Sequence, residues 1–224
     1  MAKHSKRYRA LKENIEALKA YRLDEALVLL KEAGNTTFDA GVLLHVRTGI
    51  DVKQSDEQVR GTASLPHGTG KKHRIAALTA KPAEAKSAGA EIAGAEELIK
   101  EIQAGKIDFD VLVAEPAFMP KLAPVAKILG PRGLMPSPKN GTVSPDVARA
   151  IEELSKGKIS FKNDNTGNIH MLVGRISFPV EKLKENIQTA YDAVKASKPG
   201  AMKGTFIQNV TLATTMGPGI KVAL

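Results

Sequence analysis

The stretch Leu65-Pro66-His67-Gly68-Thr69-Gly70-Lys71-Lys72-His73-Arg74 holds the residue types of a phosphate-binding loop. Glycines there could turn backbone N–H groups toward an anion, and the lysines could neutralise it. The spacing denies that chemistry. A P-loop needs a glycine five residues before Gly70 and a Ser or Thr after its lysine, but Leu65 and Lys72 occupy those positions. The dinucleotide fingerprint fails too, because His73 stands where the third glycine belongs. Pro66 can end a strand, and Gly68 and Gly70 can take positive φ. The stretch therefore reads as a basic domain exit.

Other reactive side chains are scattered. His4, His45, His67, His73 and His170 show no metal-ligand spacing, and the chain has no cysteine to join them. Ser64 and Ser137 lack the context of a nucleophile elbow. Glu96-Glu97 and Glu152-Glu153 fall on helical patterns and read as solvated faces. Asp108 and Asp110 flank a strand start, where an acid can hold Mg²⁺ in a nucleotide enzyme, but no phosphate loop accompanies them. The expectation is a protein that is not an enzyme and carries no cofactor or metal. The rival reading is a nucleotide-binding enzyme using the middle of the chain.

The charge points to a polyanion. Of 224 residues, 33 are Lys or Arg and 24 Asp or Glu, a formal net charge of +9. The excess lies at the two ends. Residues 158–224 carry 9 Lys and Arg against 4 Asp and Glu, whereas residues 67–157 carry 13 against 11. The arm of residues 2–7 offers Lys3, Lys6 and Arg7 before any acid appears. Two polar, glycine-bearing turns add positioned hydroxyls and free backbone groups. These are Lys162-Asn163-Asp164-Asn165-Thr166-Gly167 and Thr215-Met216-Gly217-Pro218. Such surfaces can approach a sugar-phosphate backbone and bond 2′-hydroxyls. Phe38 follows three polar residues and could pack on a ribose or base. Aromatic residues make up only 4% and no RRM signature is present, so structured RNA read by shape fits better than single strands read base by base.

The elements that must position these groups come in two styles. The amino-terminal part reads as a helix over Tyr8–Ala20, a helix capped by Asp24 and ended by Gly34-Asn35, a strand over Val42–Val46 with one polar-leaning face, and a strand over Val59–Leu65. The middle has short apolar runs, Ile75–Leu78 and Val111–Ala114, like buried parallel strands. Helical patterns surround them at Pro82–Ala88, Ala95–Gly105, Pro120–Leu129 and Ser144–Lys156, the last with Ser144 as N-cap and Pro145 at the first helical position. After Gly157 the first style returns. A β-hairpin joins Ile159–Phe161 to Ile169–Val173. A helix over Phe178–Ser197 presents Leu183, Ile187, Tyr191 and Val194. A strand over Lys203–Thr215 presents Phe206, Gln208, Val210 and Leu212, and a short strand over Ile220–Val222 follows. Neither flank can bury its apolar face alone. The predicted fold is α/β and α+β in two domains: a discontinuous α+β domain of residues 1–66 and 158–224, with a three-layer α/β domain of residues 67–157 inserted. No apolar run approaches a membrane span or a signal peptide, so a cytoplasmic protein is expected.

Several of these motifs occur together in one known family. They are Val59-Arg60-Gly61-Thr62 through Lys71, Ile128-Leu129-Gly130-Pro131-Arg132-Gly133-Leu134-Met135-Pro136, Lys139-Asn140-Gly141-Thr142, Asp164-Asn165-Thr166-Gly167, Lys203-Gly204-Thr205-Phe206 and Thr215-Met216-Gly217-Pro218. Over essentially its whole length the chain resembles the family of large ribosomal subunit protein one, in its bacterial form. The resemblance implies a Rossmann-like inserted domain that binds no nucleotide. It also implies a first domain that holds a helical junction of large-subunit rRNA in the mobile side stalk beside the tRNA exit site. The implied partners are that rRNA, deacylated tRNA leaving the exit site, and the protein's own messenger, whose translation it would repress. By motif match the contacts would be Phe38, Lys162, Asn163, Asp164, Thr166 and Gly167, and Thr215, Met216, Gly217 and Pro218. Thr37 and Asn165 stand where family members often carry lysine, which removes two cations from the expected interface. Arg132 and Lys139 suit peripheral RNA contact. A translational repressor acting only off the ribosome would use the same surface.

Overall fold

The computed structural model describes residues 5–16, 19–71, 73–200, 202 and 204–223. In chain order its elements are α1 (Lys6–Glu13), β1 (Tyr21–Arg22), α2 (Leu23–Ala33), β2 (Gly41–Thr48), β3 (Arg60–Ser64), β4 (Ile75–Leu78), α3 (Pro82–Ser87), β5 (Ile92–Gly94), α4 (Glu96–Gln103), β6 (Val111–Ala114), α5 (Ala126–Leu129), α6 (Val147–Ser155), β7 (Lys158–Lys162), β8 (Asn168–Arg175), α7 (Val180–Ala196), β9 (Ile207–Thr214) and β10 (Gly219–Ala223). The chain folds as a mixed α/β protein with several sheets. It divides into two compact units, Met1–Gly70 with Ile159–Leu224, and Lys71–Lys158.

In the unit made from both chain ends, five strands lie in the order β1-β10-β9-β2-β8. β1 and β10 run parallel, and the other neighbours run antiparallel. Alternation along β2 sends Val42, Leu44, Val46 and Thr48 inward, where β8 contributes Ile169, Met171 and Val173 and β9 contributes Val210 and Leu212. Leu27 and Leu30 of α2 and Leu183, Ile187 and Val194 of α7 complete that core. Leu43, His45 and Arg47 alternate to the other face, exposed or half-buried.

Several expectations change here. The helix expected over Tyr8–Ala20 runs only from Lys6 to Glu13. Ser5 caps it by accepting from the Tyr8 N–H, and at its end the Asn14 N–H bonds back to the Lys12 carbonyl. The Glu16 N–H then donates to the Tyr21 hydroxyl at 3.0 Å, so the chain bends to seat Tyr21 in the core. Leu18, placed on that helix by its spacing, lies outside the described residues. Asp24 sits in the first turn of α2 rather than capping it; Arg22 precedes the helix with no side-chain cap bond.

The predicted hairpin does not form. β7 pairs with β3 in a separate two-stranded sheet, while β8 joins β2. A single bridge, Asn163 to Ile169, is what remains between the two segments. Asn163 explains the split. Its N–H donates to the Val59 carbonyl at 3.1 Å and its side-chain oxygen accepts from the Val59 N–H at 2.9 Å, drawing the chain toward β3. Gln208 is exposed, contrary to the simple alternation. β9 slips register between Asn209, paired with Arg47, and Ile207, paired with Thr48, so Gln208 is the extra residue of a bulge.

The inner face of α7 also differs from its apolar spacing. Ala190 rather than Tyr191 is fully buried, and so is a polar residue, Asn186, at 0% exposure. Asn186 accepts from the His67 N–H at 3.2 Å and donates to the carbonyls of Gly68, at 2.9 Å, and Val173, at 2.8 Å. Every polar group of this buried amide has a partner, which burial requires. Gly68 and Gly70 take positive φ, 62° and 71°, as the exit demands. A Cβ at Gly70 would also press on Arg175 at 2.9 Å.

The unit Lys71–Lys158, against 67–157 expected for the inserted domain, holds a three-stranded parallel sheet in the order β5-β4-β6. Successive residues of β4 serve two cores. Ala76 and Leu78 pack with Ile102, Phe109, Leu122 and Leu129, while Ile75 and Ala77 pack with Ala85, Val147 and Ile151. Pro120–Val125 is 3₁₀ helix with Pro124 inside it, so only the end of the expected Pro120–Leu129 helix is α. α6 is capped by Asp146, whose carboxylate accepts from the Arg149 N–H at 3.2 Å. Ser144 instead accepts from the Asp146 N–H at 3.1 Å, one turn-forming step earlier.

Replacing Asn186 removes both partners from the exit backbone while leaving apolar packing on α7 intact. Asn186→Ala should lower stability by about 3 kcal/mol, the cost of stranding buried polar backbone groups. A urea melt showing a loss under 1 kcal/mol would refute that role.

Candidate nucleic-acid interface

The residues expected to touch RNA fall at the two ends of one sheet. β2 begins at Gly41 beside Thr215 and ends at Thr48 beside Gly167. At about 3.3 Å per residue, roughly 23 Å of strand separates the two turns.

At the Gly41 end, the Thr215 N–H donates to the Gly41 carbonyl at 2.9 Å, and the Gly41 N–H donates to the Thr215 hydroxyl at 3.1 Å. The turn closes with the Gly217 N–H on the Thr214 carbonyl at 2.9 Å. It forces Met216 to φ 66°, the left-handed region that a side chain disfavours, and among the described residues no other non-glycine adopts it. Its side chain is nonetheless 70% exposed, so core packing does not explain its presence. Phe38, 48% exposed, sits on the neighbouring segment, whose loop is held by the Thr36 hydroxyl donating to the Phe38 carbonyl at 2.7 Å. The Arg7 guanidinium ties the two segments together. It donates to the Asn35 carbonyl and to the Met216 carbonyl, each at 2.8 Å. Arg7, expected as an RNA-facing cation of the arm, thus holds α1 on this end of the sheet. Lys6 is exposed on α1, and Lys3 lies outside the described residues. Gly217 must stay glycine, because a Cβ there would meet the Thr214 hydroxyl at 2.0 Å. Pro218 is buried beneath the turn.

At the Thr48 end, Asp164 organises the second turn. Its carboxylate accepts from the Thr166 N–H and hydroxyl, both at 2.8 Å, and from the Asn168 N–H at 2.7 Å. Partial burial pushes this carboxyl up, but the combined hydrogen bonds from Asn168, Thr166 and His170 outweigh it and hold it far below the usual carboxylate range. Lys162, Asn165 and Thr166 are exposed, whereas Asn163 and Gly167 are buried and serve the turn itself. Gly167 takes φ 79°.

Between the two ends runs a row that motif reading passed over. His170 of β8 pairs with His45 of β2, His45 with Thr211 of β9, and Thr211 with Lys221 of β10. The four side chains therefore line up across the sheet on the face away from the helices. Arg47 lies on the same face, paired with Asn168 and Asn209. The Asn209 side-chain oxygen is buried there without a hydrogen-bond partner. Strict alternation of His45 and Arg47 with the apolar residues of β2 was the available signal.

The rival site is the crevice at the carboxyl ends of β4 and β6, where open α/β sheets bind ligands. Its volume is about 480 Å³, with Thr79, Ala80, Glu115 and Asp146 in its lining. The donors a phosphate would need are already given to carboxylates. Glu115 accepts from the Thr79 hydroxyl and from the Ala80 N–H, and Asp146 accepts from the α6 terminus. Among the described residues no group of three His, Asp or Glu could hold a metal ion, and no helix is long and apolar enough to cross a membrane.

Comparison with known proteins gives the family. The model of the Ribosomal protein L1p/L10e family matches residues 29–218. The chain is 50% identical over 224 residues to the large ribosomal subunit protein uL1 of Kosmotoga olearia, covering 99% of this chain and 97% of that relative. It is 51% identical over 225 residues to the protein of the same name from Thermosipho melanesiensis, with 99% and 97% covered. It is 50% identical over 226 residues to that of Mesoplasma florum, with both chains covered in full. These relatives are structural ribosomal proteins, not enzymes. A match of this length, spanning both turns and the strands that carry them, means that the chain belongs to the Ribosomal protein L1p/L10e family.

Proposed function

We propose that this protein is a component of the large ribosomal subunit whose unit built from both chain ends grips structured rRNA, while the inserted unit is a Rossmann-like domain without a nucleotide. The observation that carries the reading is Met216. A strained, exposed thioether, on the turn that Arg7 ties to the segment leading into the exposed Phe38, costs stability and hydration, and a contact surface is the economical reason to keep both. The RNA would lie over the sheet face from that turn to Lys162 and Thr166, meeting His45, Thr211 and Lys221 on the way. Positioned hydroxyls and a basic face suit ribose and phosphate of a bent, paired RNA.

The finer roles follow from the family resemblance. The protein would form the mobile side stalk of cytoplasmic ribosomes, assist deacylated tRNA as it leaves the exit site, and repress its own messenger by binding a similar RNA structure on the same face. Co-sedimentation with large subunits in high salt separates a resident ribosomal protein from a repressor working only off the ribosome.

Binding of an rRNA junction fragment tests the grip. Met216→Gly removes the thioether and relieves the left-handed strain at once. It should stabilise the free protein by about 1 kcal/mol and weaken RNA binding. Unchanged affinity alongside the gain in stability would exclude Met216 from the interface. Lys6→Ala should act differently, lowering the slope of log K against log salt by roughly 0.7–0.9 for one phosphate contact. A slope that ignores this substitution would remove the arm from the contact.

A further inference from the structure

We propose that RNA binding on this face takes up a proton at the His45–His170 pair, so that the grip tightens as pH falls; the inference rests on the RNA-binding reading above. The geometry fixes where each proton sits. The two imidazoles meet edge-on, ring centroids 4.9 Å apart, with their Nδ1 atoms separated by 2.7 Å. A contact that short between two ring nitrogens needs one hydrogen between them, one ring donating and the other accepting. Asp164 decides which. Its Oδ2 lies 3.5 Å from His170 Nε2. A carboxylate only accepts, so His170 keeps its hydrogen on Nε2, and its Nδ1 becomes the acceptor. His45 must then donate through Nδ1. Its Nε2 is left as a lone pair on the row, and it is the atom that gains the added proton. Protonation there makes His45 a cation without breaking the Nδ1 contact.

The surroundings keep that proton off in the free protein. Burial, the largest cause, holds His45 below its ordinary pKa, and a charge on His170 would add to that. Facing or flanking it are His170 from β8, Thr211 from β9, Arg47 on its own strand and Lys221 beyond Thr211, with Asp164 behind His170. The two cations oppose a third charge, and Asp164 is the one carboxylate favouring it. A phosphate backbone laid on the row reverses this balance, because an anion nearby favours the charged imidazole. The bound pKa then lies above the free one. Between them, binding absorbs a proton and affinity rises with acidity, by at most about tenfold per pH unit for one proton. Above the bound value and below the free value affinity levels off.

Titration of an rRNA junction fragment at constant salt from pH 8 to 5.5 tests this, with the full-length protein, His45→Gln and His170→Gln. Wild type should bind several-fold more tightly at pH 6 than at pH 8. His45→Gln should bind with a much shallower profile, and the double variant His45→Gln/His170→Gln gives the slope left by the RNA itself. Calorimetry in buffers of different ionisation enthalpy should show net proton uptake by wild type in the pH range where its affinity changes, and markedly less by His45→Gln. His170→Gln keeps the His45 ring and leaves an amide oxygen able to accept from its Nδ1, so it should retain the slope. Tight but pH-independent binding by wild type, or an undiminished slope in His45→Gln, would overturn this inference alone. Absence of RNA binding at every pH would overturn the functional reading beneath it.

Discussion

Everything in the larger unit depends on strands from the two ends of the chain pairing with each other. β2, near the amino terminus, lies between β8 and β9, and β1 adds in parallel to β10 at the edge. No stretch of either end could satisfy its backbone hydrogen bonds or cover its apolar face without the other. The long-range pairing therefore precedes any surface, and both polar turns exist only as the ends of strands so paired. It also fixes register: once Val42 faces the core, His45 and Arg47 must face away.

Buried polar groups then set the details that apolar burial leaves open. Asn186 holds the exit at His67 and Gly68 against α7, and Asn163 draws the chain toward β3 instead of letting it turn back into a hairpin. Asp164 closes the turn between β7 and β8. Each is a short side chain whose donors and acceptors are matched to particular backbone atoms. Such groups are costly if unmatched, so they select one arrangement among several of similar apolar burial.

The two ends of the five-stranded sheet are built differently. Around Met216 the backbone is held in an unfavourable conformation by the Thr215–Gly41 bonds and the Arg7 staple, leaving a bulky thioether in water. Around Asp164 the turn is relaxed and internally satisfied, and only Lys162, Asn165 and Thr166 stand out from it. With Thr37 and Asn165 uncharged, the cations on and beside this face are Arg47, Lys221 and Lys162. That makes an additional proton at His45 a large fractional change in local charge.

The sequence by itself determined a great deal. Alternation and short apolar runs located most strands, and the glycine exit was legible in Gly68 and Gly70. The motif resemblance singled out both turns and also Phe38, which the structure leaves exposed. Tertiary structure alone decided which strands pair, because Ile159–Phe161 and Ile169–Val173 satisfy the hairpin pattern equally well until Asn163 finds Val59. It alone turned Arg7 from a mobile cation into a tie between Asn35 and Met216. It alone aligned His170, His45, Thr211 and Lys221, residues from four separate strands. Periodicity reports which face a residue occupies, since that depends on its neighbours in the chain. It is silent about which residue lies opposite on the next strand, because register is set by contacts far apart in sequence.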